Sequence, residues 1–300
     1  MPTAPPSSLV PLSDRLLNLA KEAQFSWWLG HVIVLVFGLL YYIRRPFDAG
    51  AESYYYCAYV GAFVSYVIVI YKTYGPPQIN IAFLQRMILD ENVQYFALAF
   101  YWWTQPTIYV SLLPFVVFSL FHSIGYLRRV VIPVFYPNVA NEIKNATTTT
   151  KSSSSSSSKD NSSKSSLVDL KKLSLPAKVS TILGDWYNKY YLDAFSAIAL
   201  WEVAIIELWL LLGALTFQTP FLAPLVYGQF LRFRYQLSLP TRNAFGKVRI
   251  TLDKYLNSPQ VPESVSSIYI SVRDFLIRTG DQITNTQPRA SSSSSAGSSS

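Results

Sequence analysis

One cysteine, two histidines and two methionines in 300 residues leave little material for several kinds of chemistry. Cys57 has no partner for an intrachain disulfide, and it lies in an apolar run where thiolate chemistry is disfavoured. His31 and His122 come without a Ser/His/Asp set, a metal-ligand spacing or a glycine-rich phosphate loop. No catalytic constellation, metal site or cofactor is therefore expected, and the function read from these absences is non-enzymatic. Charge is scarce as well: 14% of residues are charged against 50% hydrophobic, and the apolar positions come in long blocks. The opening MPTAPPSSLVPLSDR has no basic start, short apolar run or small-residue cleavage site, so it does not read as a secretory signal peptide and is expected to be retained.

What is present is a membrane protein. Phe25 to Ile43 is an apolar stretch opened by Trp27 and Trp28 and closed by Tyr41, Tyr42, Arg44 and Arg45, the pattern of an anchored span. Tyr54 to Tyr71 is a second, with Ala58, Gly61, Ala62 and Ser65 on one side to admit a neighbouring helix. The two read as an antiparallel pair. If the N-terminus is cytoplasmic, Arg44 and Arg45 fall on the lumenal side, against the positive-inside tendency. Before the first span, Leu9, Leu12, Leu16 and Leu19 recur at helical spacing among charges, which suggests a short amphipathic helix.

Between Glu91 and Arg128 there is no charge at all. As one helix, the stretch from Asp90 to Arg129 would reach roughly 50 Å, well beyond the ~30 Å hydrocarbon core. Trp102, Trp103, Thr104, Gln105 and Pro106 interrupt it, which favours a hairpin turning there with Arg128 and Arg129 at its exit. One tilted span from Pro106 to Ile124 after an interfacial helix is the other topology that fits. The pattern returns later: Ala194 to Phe217 is apolar, Gln218, Thr219 and Pro220 break it, and Phe221 to Leu231 leads to Arg232 and Arg234. Hairpin turns are thus placed at Trp102, Trp103, Pro106 and Pro220.

Between these regions NATTTTKSSSSSSSKDNSSKSS has almost nothing apolar to bury and reads as disordered, with glycosylation sequons at Asn145 and Asn161. Past Arg234, Phe245, Val248 and Leu252 form one apolar helical face. Val265, Ile268, Tyr269, Val272, Phe275 and Leu276 form another. Both are too short and polar to span, and they fit a membrane surface, the hairpins or a partner helix equally. The expected organisation is an amphipathic segment over 1–26, a membrane region with two spans and a hairpin over 27–137, and a disordered loop over 138–180. A second hairpin region over 181–235, amphipathic helices over 236–283 and a disordered tail over 284–300 complete it. The fold class is all-α, multi-pass, with transmembrane helices or helical hairpins and cytoplasmic amphipathic helices.

The net charge of +8 is concentrated, with ten basic residues from Arg128 to Lys189 and nine from Arg232 onward. Beside apolar faces, these point to anionic lipid headgroups or a protein partner on the cytoplasmic side, not to nucleic acid. Arg232 and Arg234 are candidates for that contact. A carboxylate inside a span is a functional hypothesis by default, so Glu202, Glu207 and His122 carry the rival reading, a small transporter or membrane enzyme. The two glutamates stand about 140° apart on a helix and do not make one paired-carboxylate site.

The segments LDENVQYFALAFYWWTQPTIYVSLLPFVVFSLFHSIGYLRR and TPFLAPLVYGQFLRFRYQLSLPTRNAFGKVRITLDKYL resemble the transmembrane protein 33 family, which includes fungal pore membrane proteins. The resemblance implies a protein of the endoplasmic reticulum and nuclear envelope that shapes curved, tubular membrane and contributes to nuclear pore distribution or assembly. It also implies reticulon-type shaping proteins, nucleoporins and transport receptors as partners. An adaptor that recruits pore components without bending membrane uses the same residues. The long Ser/Thr/Lys insert departs from the family's compact pattern, and the family has no established catalytic residues.

Overall fold

The computed structural model describes residues 10–78, 80–153, 173–256, 262–264, 266–267, 269–271 and 273–274. Ile79, Asn161, the segment 154–172, most of the second C-terminal apolar face (Val265, Ile268, Val272, Phe275 and Leu276) and the 284–300 tail lie outside the described residues. Every described element is helical, and the chain is an all-α multi-pass membrane protein. Residues to Phe245 make one unit and those from Gly246 a second.

Four helical stretches are long and apolar enough to cross a membrane: Ala23–Arg44, Glu52–Tyr74, Tyr109–Phe135 and Leu175–Leu215. The first two are α2 and α3, preceded by α1 (Leu12–Lys21). They run antiparallel, with the rings of Tyr41 and Tyr55 5.2 Å apart at one end and the Ser65 hydroxyl donating to the Trp27 carbonyl at 3.0 Å near the other. Gly75, at φ 72°, ends α3 in a conformation that favours glycine.

A short helix α4 (Ile81–Ile88) leads to α5 (Glu91–Thr104), whose start is fixed by Asp90 accepting the Asn92 N–H at 2.7 Å. Gln105 turns extended because Pro106 follows, and α5 stops there. The chain then reverses: α6 (Leu113–Tyr126) runs antiparallel to α5, with Tyr95 against Phe115 and Phe118. A π-turn (Leu127–Val131) carries α6 into α7 (Ile132–Phe135), and α8 (Val139–Ser153) follows.

The fourth stretch consists of α9 (Leu175–Leu200), a π segment (Trp201–Ile206) and α10 (Glu207–Leu215). Its start differs from the sequence expectation. Helix occupies 139–153 and resumes at Leu175, inside the segment read as a loop to residue 180. The reason is local packing. Ala177 and Leu173 close on Val139, with Ile132 and Ile143 beside them, and Glu142 accepts the Ser174 hydroxyl at 2.7 Å and its N–H as well. Those two bonds hold the Glu142 carboxyl below its usual range. At the far end Phe217 takes φ 58°, and the N–H groups of Gln218 and Thr219 return to the Gly213 carbonyl at 2.8 and 3.1 Å. The chain then descends as α11 (Ala223–Leu237) and continues into α12 (Leu239–Leu256).

At 14 and 15 residues, α5 and α11 are each about 22 Å long, short of the ~30 Å core. The helices of the first unit alternate in direction, which sorts the connections between its two ends. One end has only the short connections 45–51, 105–112 and 216–222, the first two containing single 3-10 turns (Ala49–Ala51 and Tyr109–Ser111). The other gathers α1, α4, α7, α8 and the start of α12, together with Lys21, Lys72, Arg86, Arg128, Arg129, Lys144 and Lys178.

Candidate functional site

Among the described residues Glu202 is the most deeply placed carboxylate, 2% exposed, and the π segment that carries it turns it toward α5 and α11. There Tyr95 donates its hydroxyl to Glu202 Oε1 at 2.9 Å, and Tyr227 donates to the Glu202 carbonyl at 3.2 Å. The Arg234 guanidinium lies over the Tyr95 ring at 5.1 Å and pairs with Glu91 at 2.9 Å. Side chains from α5, the π segment and α11 thus form one polar ladder, running from buried Glu202 to Glu91 at the surface. Beyond Tyr227 stands Trp102, fully buried with its ring 5.6 Å away. A ladder exposed at Glu91 and buried at Glu202 suits a clamp on three helices better than a path across the membrane.

Glu207 does not join it. One of its oxygens is buried without a hydrogen-bond partner, and the other lies beside Gly228 of α11. His31 and His122, separate in sequence, meet between α2 and α6 with ring centroids 4.7 Å apart, under Trp27. His31 Nδ1 shares a 2.9 Å hydrogen bond with Ser119 Oγ. Among the described residues there is no group of three His, Cys, Asp or Glu able to hold a metal.

Several residues chosen from sequence sit differently from their expectation. Arg234, paired in that reading with Arg232 at the membrane surface, is turned inward and 6% exposed, because Glu91 and Tyr95 receive it. Arg232 remains exposed. Trp102, read as a turn aromatic seeking the interface, is packed inside, whereas Trp103, Pro106 and Pro220 are exposed at the turns. Phe245 is half-buried on Tyr235, 5.4 Å between rings. In the second unit Val248 is half-buried and Leu252 exposed, as are Ile250 and Tyr255 at 70% and 66%. Tyr269 donates to Asp253 at 2.7 Å, with Arg273 at 3.3 Å from the same oxygen. The Tyr269 bond, then Arg273, holds the Asp253 carboxyl below its usual range.

The sequence places Ile79, Phe83, Met87 and Ile88 on a partly apolar helical face; on α4 Phe83 and Met87 are half-buried, and the apolar surface is wider than that reading. Ile81, Leu84 and Ile88 are all exposed, and no residue of that helix is buried. On α1, Leu12 and Leu17 are exposed while Leu19 is buried and Arg15 donates to the Val134 carbonyl. Both helices lie at the basic end of the first unit.

Residues 13–282 match the protein family described as Transmembrane protein 33/Nucleoporin POM33. The chain is 30% identical over 298 residues to Tetra-spanning protein 1 of Schizosaccharomyces pombe, covering 96% of each. It is 28% identical over 281 residues to Nucleoporin POM33 of Chaetomium thermophilum, covering 91% of each. To Pore and endoplasmic reticulum protein of 33 kDa of Saccharomyces cerevisiae it is 24% identical over 288 residues, covering 90% of this chain and 94% of that protein. No solved structure matches the chain.

Proposed function

The chain belongs to the transmembrane protein 33/nucleoporin POM33 family, and from that premise we propose a membrane protein of the endoplasmic reticulum and nuclear envelope that stabilises curved membrane at or near nuclear pores. The names of two relatives, a nucleoporin and a pore and endoplasmic reticulum protein, support the location. The observation that carries the shaping role is the unequal pair of ends in the first unit. Helices with exposed apolar side chains, α1 and α4, collect at one end, and the opposite end has only short connections with no helix longer than three residues.

In this reading the helix-bearing end lies at the cytoplasmic leaflet, which its basic residues support through the positive-inside tendency. Short α5 and α11 add volume beside the complete spans without filling the bilayer's depth. Helices lying among the headgroups occupy area in one leaflet that the other does not match, and the bilayer relieves the difference by bending. The basic, apolar C-terminal unit adds attraction for anionic lipid or for a soluble nucleoporin. Glu202 and Arg234 serve in this reading to hold α11 against α5, not to move a solute.

Reconstitution of the full chain into liposomes at rising density, imaged by electron cryo-microscopy, tests the proposal. Narrow tubules should appear, and Ile81→Asp with Leu84→Asp should widen or abolish them. Round vesicles at every density would reject direct shaping and leave recruitment of pore components as the activity.

A further inference from the structure

The short-turn end of the first unit carries a cleft that the shaping role does not use. It is an open cleft of about 830 Å³, lined by Arg45, Glu52, Tyr56, Trp103, Gln105 and Thr107, among others. Arg45 follows the last turn of α2 and Glu52 opens α3, so the short 45–51 connection delivers opposite charges to one mouth. Among the described residues neither is ion-paired, with each other or with any other group. The Thr107 hydroxyl donates to Glu52 Oε1 at 3.3 Å and steadies the carboxylate.

Aromatic surface stands beside the charges. Trp103 is held edge-on by Phe63, with centroids 5.9 Å apart and planes at 80°, yet remains 41% exposed. Tyr56 is fixed by donation to the Gln105 carbonyl at 3.4 Å. One helical turn toward the middle of the bundle, Val60 on α3 and Phe100 on α5 are exposed apolar side chains. A ligand in the mouth therefore meets a cation, an anion and aromatic faces, with apolar helix surface below it.

We propose that this cleft binds a phosphodiester bearing an ammonium group, the headgroup chemistry of phosphatidylcholine and phosphatidylethanolamine. The Arg45 guanidinium takes the phosphate through charge-assisted hydrogen bonds. Glu52 takes the ammonium, whose methyl or methylene groups rest on Trp103 and Tyr56. A headgroup with phosphate and no ammonium, such as phosphatidylglycerol, satisfies Arg45 and leaves Glu52 unmatched. The site also gives Arg45 a role at the end of the bundle opposite the basic clusters. The same chemistry occurs in soluble glycerophosphocholine, and the exposed Val60 and Phe100 favour the lipid as its source.

Native mass spectrometry of the detergent-purified full chain, incubated with equal amounts of phosphatidylcholine, phosphatidylethanolamine and phosphatidylglycerol, reads the preference directly. The two zwitterionic lipids should be retained over phosphatidylglycerol by about tenfold, equivalent to ~1.4 kcal/mol. Glu52→Gln should reverse the order toward phosphatidylglycerol, a change of sign that loss of fold cannot produce, and Arg45→Gln should lower retention of all three. In a second arm, calorimetric titration with glycerophosphocholine separates the sources: binding assigns the headgroup alone, and its absence alongside lipid retention assigns the membrane lipid. Equal retention of all three lipids by the unmodified chain, or a preference that Glu52→Gln leaves in place, overturns the proposal.

Discussion

Gly30 and Gly61 face one another where α2 crosses α3, and an added methyl group at either is predicted to cost more than its size suggests. A Cβ on Gly61 would stand 2.7 Å from the Gly30 carbonyl oxygen and 2.7 Å from Ile33 Cγ2, and one on Gly30 would stand 2.7 Å from the Gly61 carbonyl oxygen. Ordinary contact begins at 3.4 Å, and a backbone oxygen cannot rotate aside, so the two helices must part by several tenths of an ångström. Overpacking of that kind costs about 1–3 kcal/mol. The Ser65 hydrogen bond to Trp27, at the same crossing, stretches with it. Gly61→Ala and Gly30→Ala should each lower the midpoint of a dodecyl sulfate titration in mixed micelles, followed by tryptophan fluorescence. The double variant should cost less than the sum, because one separation of the helices accommodates both methyl groups. At Gly246 of α12 a Cβ meets nothing within 4 Å, so Gly246→Ala should hold or raise stability, by up to about 1 kcal/mol from helix propensity. Unchanged midpoints for the two single variants, or full additivity in the double, would refute the close crossing.

Tyr95→Phe removes the donor to buried Glu202 Oε1 and should cost about 1–3 kcal/mol in the same titration, whereas Arg232→Gln, at an exposed position, should cost little. A neutral midpoint for Tyr95→Phe would mean that the ladder does not hold α5 to the π segment. The depressed Asp253 carboxyl makes its contacts with Tyr269 and Arg273 pH-dependent. Their contribution is complete above the ordinary aspartate range near ~3.9 and is lost as pH falls through the lower folded value. The protection of α12 amides, measured relative to their intrinsic exchange rates, should therefore fall below about pH 4, and Asp253→Asn should abolish that acid dependence; protection that is flat through this range in the unmodified chain would contradict it. Asn145, on α8 at the basic end, should stay unglycosylated in microsomes if that end is cytoplasmic. A glycosidase-sensitive shift there would invert the orientation.

Much of the fold is legible because bilayer spans are long and their signals local. Trp27, Trp28 and the Tyr41 to Arg45 cluster bracket α2, the stripe through Gly61 and Ser65 marks the face that meets it, and Pro106 and Pro220 stand where the helices break. What sequence could not show is long-range pairing. Arg234 reads as a headgroup anchor until Glu91, distant in the chain, is seen to receive it inside the bundle. His31 and His122 carry no shared motif, and only the packing of α2 on α6 joins them. Composition also hid the early start of α9. The Ser/Thr bias of the segment before it outweighs Leu173, Ala177 and Val139, whose value lies in their mutual contact. The cleft at Arg45 and Glu52 has no sequence signal, because Trp103 arrives from another helix.

The central claim is that the first unit occupies more area in one leaflet than in the other, and curvature sorting measures this most directly. A tether is pulled from a giant vesicle containing fluorescently labelled full chain, and its radius is reduced by raising membrane tension. Protein density in the tether, relative to the vesicle body, should rise steadily as the radius falls, and Ile81→Asp with Leu84→Asp should flatten the rise. A density ratio that stays at unity across all radii would contradict it.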